Sequence, residues 1–125
     1  MTTDPIADLL TRIRNASRAN LAVCSAPYSK IKENILKILL DKKFIVKYEK
    51  TDDEIPELII TLDETRPIHL TRVSKPGQRI YGGKENMKLI RNGTGIQIVS
   101  TSKGLMTTEE AKKANIGGEV ICEAY

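Results

Sequence analysis

The alternation of two amphipathic helical patterns with short β-branched runs most constrains how this chain of 125 residues folds. Asp4-Pro5 has the form of an N-cap followed by proline at the first helical position, and Ser29 has the form of a second N-cap. Apolar residues follow each cap at helical spacing, and the second set is Ile31, Ile35, Ile38 and Leu39. The strand-like runs of this half are residues 21–26, 44–48, 57–62 and 68–71. The pattern predicts a helix, a strand, a second helix and then a meander.

The second half of the chain is predicted to be mostly β, with short helices. Extended runs cover residues 78–81, 96–99 and 119–122, a short helix covers 85–92, and Thr107-Thr108-Glu109-Glu110 has the form of a capping box. A turn at Ser74-Lys75-Pro76-Gly77 separates the halves. We therefore predict an α+β protein of two small domains, with an N-terminal unit at 1–73 packed against a C-terminal unit at 74–125.

Several classes of protein are disfavoured by composition. No segment approaches membrane-spanning length and no basic region precedes an apolar block at the amino terminus, so we expect a soluble, cytoplasmic protein without membrane contact. Cys24 and Cys122 lie far apart without metal-ligand or redox spacing, and His69 is the only histidine. We expect no metal, no cofactor and no structural disulfide.

Positive charge is concentrated in part of the chain. Residues 67–104 carry seven Lys or Arg against the single acid Glu85, whereas residues 51–66 carry Arg66 alone against six acids. Such segregation gives one face a positive potential that attracts a polyanion, although solvated surface charge is the alternative explanation.

The run Ser100-Thr101-Ser102-Lys103-Gly104, between an apolar run and the capping box, is predicted to be a loop that grips phosphate and sugar. Its hydroxyls can donate to phosphate and ribose oxygens, Lys103 adds a point charge, and Gly104 allows close approach of the backbone. A serine–lysine hydrolase built on Ser102 and Lys103 is the alternative. It is disfavoured because a lysine on a flexible polar loop lacks the burial that would make it a base. The glycine spacing of a nucleotide-binding loop is also missing.

A second candidate segment precedes this loop. Arg79 and Tyr81 lie on an extended run, with Lys75 on the turn before it. The cations can reach phosphates, and Tyr81 either stacks on an unpaired base or packs half-buried. Small donors and acceptors suit the shallow minor groove of RNA and its 2′ hydroxyls, so RNA is favoured over DNA.

Three motifs together carry a resemblance to a known family. They are residues 72–81 (RVSKPGQRIY), 95–107 (GIQIVSTSKGLMT) and 117–122 (GGEVIC), and residues 4–15 (DPIADLLTRIRN) match the same family's first helix. The chain resembles bacterial small-subunit ribosomal protein eight from end to end. Glu123 departs from the pattern, because the last strand of the family is usually apolar or aromatic there.

The resemblance implies a two-domain α+β protein that catalyses no reaction. It implies a structural role in the small ribosomal subunit, direct binding to the central domain of its rRNA, a part in assembling the platform, and contacts with neighbouring ribosomal proteins. Some members of the family also repress translation of their own operon by binding its mRNA, and the resemblance makes this a candidate function here. Gly118 and Glu119 match a turn that faces the same RNA as the hydroxyl loop. A second RNA segment has matching candidates in the N-terminal domain: Thr3, Asp4, Arg14, Asn15, Ser29 and Lys30.

Overall fold

The computed structural model describes residues 5–63, 65, 68–73, 81–82 and 95–125. Within these ranges the fold is α+β, with three helices and two antiparallel sheets, which confirms the predicted class. The predicted helix at 85–92 and most of the extended run at 78–81 lie outside the described residues. The elements are α1 (Pro5–Arg18), β1 (Val23–Pro27), α2 (Lys30–Asp41), β2 (Lys47–Lys50), β3 (Glu57–Thr61), β4 (Leu70–Arg72), β5 (Tyr81–Gly82), β6 (Ile96–Thr101), β7 (Gly104–Thr107), α3 (Thr108–Ala114) and β8 (Gly118–Ala124).

The chain divides into two compact units, Met1–His69 and Leu70–Tyr125. This division falls before β4, whereas the sequence pattern placed it after residue 73. The reason is that β4 pairs antiparallel with β8, with Leu70 opposite Ala124 and Arg72 opposite Cys122. The strand that looks like the end of the first meander is therefore part of the second sheet.

The first unit places its two helices against a three-stranded sheet of order β1-β3-β2. Leu9 and Ile13 of α1, Leu36 of α2, and Leu58 and Ile60 of β3 are fully buried. Each such aliphatic side chain stabilises the unit by about 1.5–3 kcal/mol. The inward face predicted for α2 is wrong at one position, since Ile31 is 38% exposed.

The strand predicted at 44–48 begins only at Lys47. Phe44 and Ile45 are buried, yet they belong to the connection that leaves α2, and the amide of Phe44 donates to the carbonyl of Leu39 at 2.8 Å. This bond is the helix-ending bond of a Schellman motif. The strand prediction is therefore wrong at Phe44 and Ile45, where an apolar run belongs to the end of a helix.

Each of the three helices in the described part of the chain is followed by a residue in the left-handed region that is not glycine. These residues are Asn20 at φ 56°, Lys43 at φ 65° and Asn115 at φ 60°. Asparagine tolerates this conformation well, whereas lysine does so at a cost. The predicted end of α1 at Asn20 is confirmed.

The second unit is a sheet of order β4-β8-β6-β7, with β5 also paired to β8. α3 packs on β6 and β7, where Val99, Ala111 and Val120 form a buried cluster. The N-cap of the predicted capping box is confirmed, since the hydroxyl of Thr107 accepts from the amide of Glu110 at 3.2 Å. The same hydroxyl donates to the Glu110 carboxylate at 3.1 Å.

A β-bulge sets the register of β8 against β6. Ile98 pairs with Cys122 but Val99 pairs with Val120, so Ile121 is the extra residue. Its carbonyl accepts from Nη1 of Arg72 at 2.7 Å and from the amide of Val73 at 3.1 Å. The bulge brings Val120 into the buried cluster and Glu119 opposite Ser100.

Glu123 has a structural partner that accounts for its departure from the family pattern. It pairs with Gln97 across β8 and β6, and Nε2 of Gln97 donates to its carboxylate at 2.9 Å. A cross-strand pair of this kind satisfies an acid in a half-buried sheet position.

Candidate functional site

The predicted hydroxyl loop is in fact the end of a β-hairpin. Ser100 and Thr101 close β6, Gly104 opens β7, and only Ser102 and Lys103 form the turn. The interpretation of residues 100–104 as one continuous loop is therefore wrong. The sequence pattern predicts no strand between residue 104 and the capping box, whereas the structure has β7 there, with the four residues GLMT. The signal was present in the two-residue connection followed by glycine between two runs of strand character.

The turn is held by the hydroxyl of Thr101. This hydroxyl donates to the carbonyl of Gly104 at 2.8 Å and accepts from the amide of Lys103 at 3.1 Å. Ser102 and Lys103 do not have positive φ, which excludes the type I′ hairpin turn. Gly104 directly follows the turn and has φ 106°. A glycine with positive φ at this position is typical of hairpins whose turn residues have negative φ.

Three of the predicted site residues share one row across the sheet. Ser100 pairs with Glu119 of β8 and with Leu105 of β7, and Glu119 pairs on its other side with Tyr81 of β5. The next pair of β5 and β8 is Gly82 with Gly118. The backbone of the second unit therefore gathers the hairpin, Gly118, Glu119 and Tyr81 at one end of the sheet.

Gly118 lies against the backbone of β6. A Cβ atom at this position would overlap the carbonyl oxygen of Ser100 and approach Cα of Thr101 to 3.2 Å. Glycine is required here because a strand can approach this closely only without a side chain. Gly118 thus sets the distance between the start of β8 and the hairpin.

The hairpin presents groups that the described part of the chain does not use. Ser102 and Lys103 are exposed and Ser100 is half-buried. Among the described residues, the two serine hydroxyls accept and donate no side-chain hydrogen bond, and Lys103 has no carboxylate partner. Two hydroxyls and one ammonium at the end of a rigid sheet can bind phosphate and sugar oxygens.

The site candidates of the first unit lie on two helices. Arg14 is half-buried on α1, where Nη2 donates to the hydroxyl of Thr11 at 3.3 Å, and Asn15 follows it exposed. Ser29 is the N-cap of α2, its hydroxyl accepting from the amide of Lys32 at 3.3 Å, and Lys30 is exposed at the first helical position. The predicted N-cap role of Ser29 is thus confirmed, and its hydroxyl is already used within the protein.

Four predicted site residues lie outside the described part of the chain, namely Thr3, Asp4, Lys75 and Arg79. Tyr81 is placed only by its backbone pairing with Glu119.

The two cysteines are free and have different surroundings. Burial raises the pKa of the Cys122 thiol to about 12, with Arg72 opposing and Glu123 adding to the shift. Burial also raises the pKa of Cys24, an effect that Arg12 opposes. A thiol with a raised pKa stays protonated and is a poor nucleophile and a poor metal ligand.

The described residues hold neither a metal-ligand cluster nor a membrane-spanning helix. They contain no group of three His, Cys, Asp or Glu side chains placed to hold a metal ion. None of their helices has both the length and the apolar content needed to span a membrane.

Comparison with known proteins gives a consistent result. Residues 4–125 match the family model described as Ribosomal protein S8. The chain is 46% identical over 138 residues to small ribosomal subunit protein uS8 of Thermus thermophilus, with both chains fully covered. It is 48% identical over 132 residues to the same protein of Flavobacterium johnsoniae, again with full coverage. It is 50% identical over 123 residues to that of Shewanella frigidimarina, with 95% of each chain covered.

Fold, surface and comparisons define a non-catalytic structural protein of a nucleoprotein particle. The chain belongs to the ribosomal protein S8 family. It is therefore a structural component of the small ribosomal subunit, in the cytoplasm, with ribosomal RNA and ribosomal proteins as its partners. RNA binding is a property of this family, which is not a family of enzymes, and nothing supports the serine–lysine hydrolase.

Proposed function

We propose that the chain binds the central domain of small-subunit rRNA directly, through the hairpin end of its second unit. The observation that carries the proposal is the exposed Ser102-Lys103 turn, whose hydroxyl and ammonium have no partner among the described residues. Hydroxyls that donate and an ammonium that attracts phosphate fit the ribose–phosphate face of an RNA minor groove.

Glu119 limits what this surface binds. Its carboxylate lies in the row of Ser100 and Tyr81, so a phosphate placed directly on it would be repelled. A carboxylate accepts hydrogen bonds from 2′ hydroxyls and from base amino groups. We therefore assign phosphate contacts to Lys103 and contacts with RNA donors to Glu119. Tyr81 and Gly118 lie at the same end of the sheet by their backbone pairing, and Lys75 and Arg79 are the further candidates for RNA contact in this proposal.

The first unit makes a smaller contact with a second RNA segment in this proposal. Lys30 and Asn15 are exposed and free to reach it, whereas Ser29 is already used as a helix cap. Thr3, Asp4 and Arg14 are the further candidates. Contacts from both units join separate RNA segments and so help to assemble the platform of the subunit.

A titration tests direct binding. The full chain is titrated with a central-domain rRNA fragment and with an unrelated structured RNA of the same length, at several salt concentrations. We expect preferential binding to the fragment, with log Kd rising linearly in log salt because phosphate contacts release counterions. Equal affinity for both RNAs, or an affinity independent of salt, would contradict the proposal.

Repression of the protein's own operon mRNA is proposed as a second use of the same surface. An mRNA that folds like the ribosomal site would present the same ribose and phosphate groups to Ser102 and Lys103. Competition between the operon leader and the rRNA fragment tests this. Mutually exclusive binding is expected, and simultaneous binding of both RNAs would rule out a shared surface.

A further inference from the structure

The hydroxyl of Thr101 is fully committed within the protein as a donor. A threonine hydroxyl has one proton and two lone pairs. Here the proton is donated to the carbonyl of Gly104 and one lone pair accepts from the amide of Lys103. Phosphate oxygens only accept hydrogen bonds, so this hydroxyl has no proton left to offer them.

The same two bonds span the turn that carries the exposed groups. They connect one side-chain oxygen to the residues on both sides of the Lys103–Gly104 peptide, and Ser102 lies between Thr101 and Lys103. The turn is not of the type I′ geometry that matches strand twist unaided, so a side-chain clamp adds order that the backbone alone does not provide.

We propose that Thr101 is a positioning residue, which fixes the turn so that Ser102 and Lys103 reach the RNA, and that it does not itself bind phosphate. This inference rests on the proposed RNA-binding function. A turn ordered before binding loses less conformational entropy when the RNA arrives, which strengthens binding without adding a contact.

Two substitutions separate the hydroxyl from the shape of the side chain. Thr101→Val keeps the branched shape and removes the hydroxyl, whereas Thr101→Ser keeps the hydroxyl. Thr101→Ala is the substitute for the valine variant should that variant fail to fold. In the free protein, Thr101→Val is expected to accelerate hydrogen exchange of the Lys103 amide by about tenfold, because its acceptor is lost. Thr101→Ser is expected to retain the wild-type exchange rate.

Binding to the central-domain fragment is measured with the same variants. Thr101→Val is expected to raise Kd by about three- to tenfold without changing the salt slope, since no phosphate contact is removed. Thr101→Ser should restore the affinity. Adding Ser102→Ala to Thr101→Val should cost less than Ser102→Ala costs alone, because Thr101 acts through Ser102.

Two results would overturn the assignment. One is that Thr101→Val leaves the Lys103 exchange rate unchanged but weakens RNA binding, with a loss that adds to that of Ser102→Ala. Thr101 would then be a direct RNA contact. An unchanged Kd in Thr101→Val would show that the clamp does not serve binding. The exchange measurement uses no RNA, so failure of the wild-type protein to bind the fragment would overturn the proposed function and remain distinguishable from failure of the clamp.

Discussion

The dipeptide Ser-Lys occurs in both units at described positions, and it has a different structural role in each. In the first unit, Ser29 caps α2 through its hydroxyl and Lys30 occupies the first helical position. In the second unit, Ser102 and Lys103 form an exposed hairpin turn whose order comes from the neighbouring Thr101. The same two residue types thus build local structure in one place and stay available to a partner in the other.

The difference follows from what surrounds each pair. A helix start leaves amide donors without partners, and the hydroxyl of Ser29 satisfies one of them. A hairpin turn leaves fewer backbone groups without partners. Here the hydroxyl of Thr101 accepts from the Lys103 amide and donates to the Gly104 carbonyl. Composition alone therefore does not separate a binding pair from a structural one.

The largest expected effect comes from Gly118, which underlies the hairpin end of the sheet. Gly118→Ala places a methyl group on the carbonyl of Ser100, which forces β8 away from β6. We expect the free energy of unfolding to fall by about 3 kcal/mol. Denaturant unfolding measures this change.

Gly104→Ala is the matched control, because a Cβ at Gly104 meets nothing within 4 Å and only the positive φ is strained. Its expected cost is about 1–2 kcal/mol. Equal costs for the two variants would show that the close approach at Gly118 is unimportant.

Removing each serine hydroxyl tests the comparison directly. Ser102→Ala is expected to weaken RNA binding by about 1–3 kcal/mol with unchanged stability, because a buried RNA partner loses its hydrogen bond. Ser29→Ala is expected to lower the free energy of unfolding by about 1 kcal/mol, the usual worth of an N-cap, with a smaller effect on binding. Calorimetric unfolding gives the stability of each variant, and RNA titration gives its affinity for RNA. Loss of stability in Ser102→Ala would remove the distinction.

The raised pKa of the Cys122 thiol predicts a loss of stability at alkaline pH. The pKa of Cys122 is raised from 9.0 to about 12 in the folded protein. The contribution of this thiol to the free energy of unfolding is complete below about pH 9. It is lost as pH rises toward 12, because the thiol of the unfolded chain ionises first. From about pH 8 to about pH 10 the loss is about 1.4 kcal/mol.

Cys122→Ala should lack this part of the pH dependence, so the difference between wild type and variant isolates the thiol. Cys24→Ala gives the comparison from the first unit, where burial raises the pKa of the thiol in the same direction. Parallel pH profiles for wild type and Cys122→Ala would contradict the assigned burial of the thiol.

The two lysines give the smallest effects. Lys103→Ala is expected to lower the slope of log Kd against log salt by about 0.7–0.9, the value for one phosphate contact. Lys30→Ala removes a cation from the positive end of the α2 dipole and is expected to raise stability by about 0.3–0.5 kcal/mol. A larger change of salt slope for Lys30→Ala than for Lys103→Ala would reverse the roles of the two units.

Local signals accounted for much of the fold. The caps at Ser29 and Thr107 and the end of α1 at Asn20 were predictable because each depends on residues within one turn of helix. The pairing of β4 with β8 and the bulge at Ile121 were not predictable, since the first joins residues about fifty apart in sequence and the second joins residues about twenty apart.

The residues of the site were predictable from the sequence, whereas their arrangement was not. Hydroxyls and a cation marked residues 100–104, but only the hairpin shows that Thr101 is used internally while Ser102 is exposed. The close approach of Gly118 to Ser100 has no signal in a single sequence, because a glycine pair is equally typical of a flexible turn.

We propose that the hairpin end of the second unit, and not the α2 start of the first, makes the main contact with the central domain. The most direct measurement compares Kd for the central-domain fragment between two double variants, Ser102→Ala with Lys103→Ala and Ser29→Ala with Lys30→Ala. We expect the hairpin variant to raise Kd by about thirtyfold or more and the α2 variant to raise it by less than about threefold. A larger effect of the α2 variant, or equal effects of the two, would contradict this proposal.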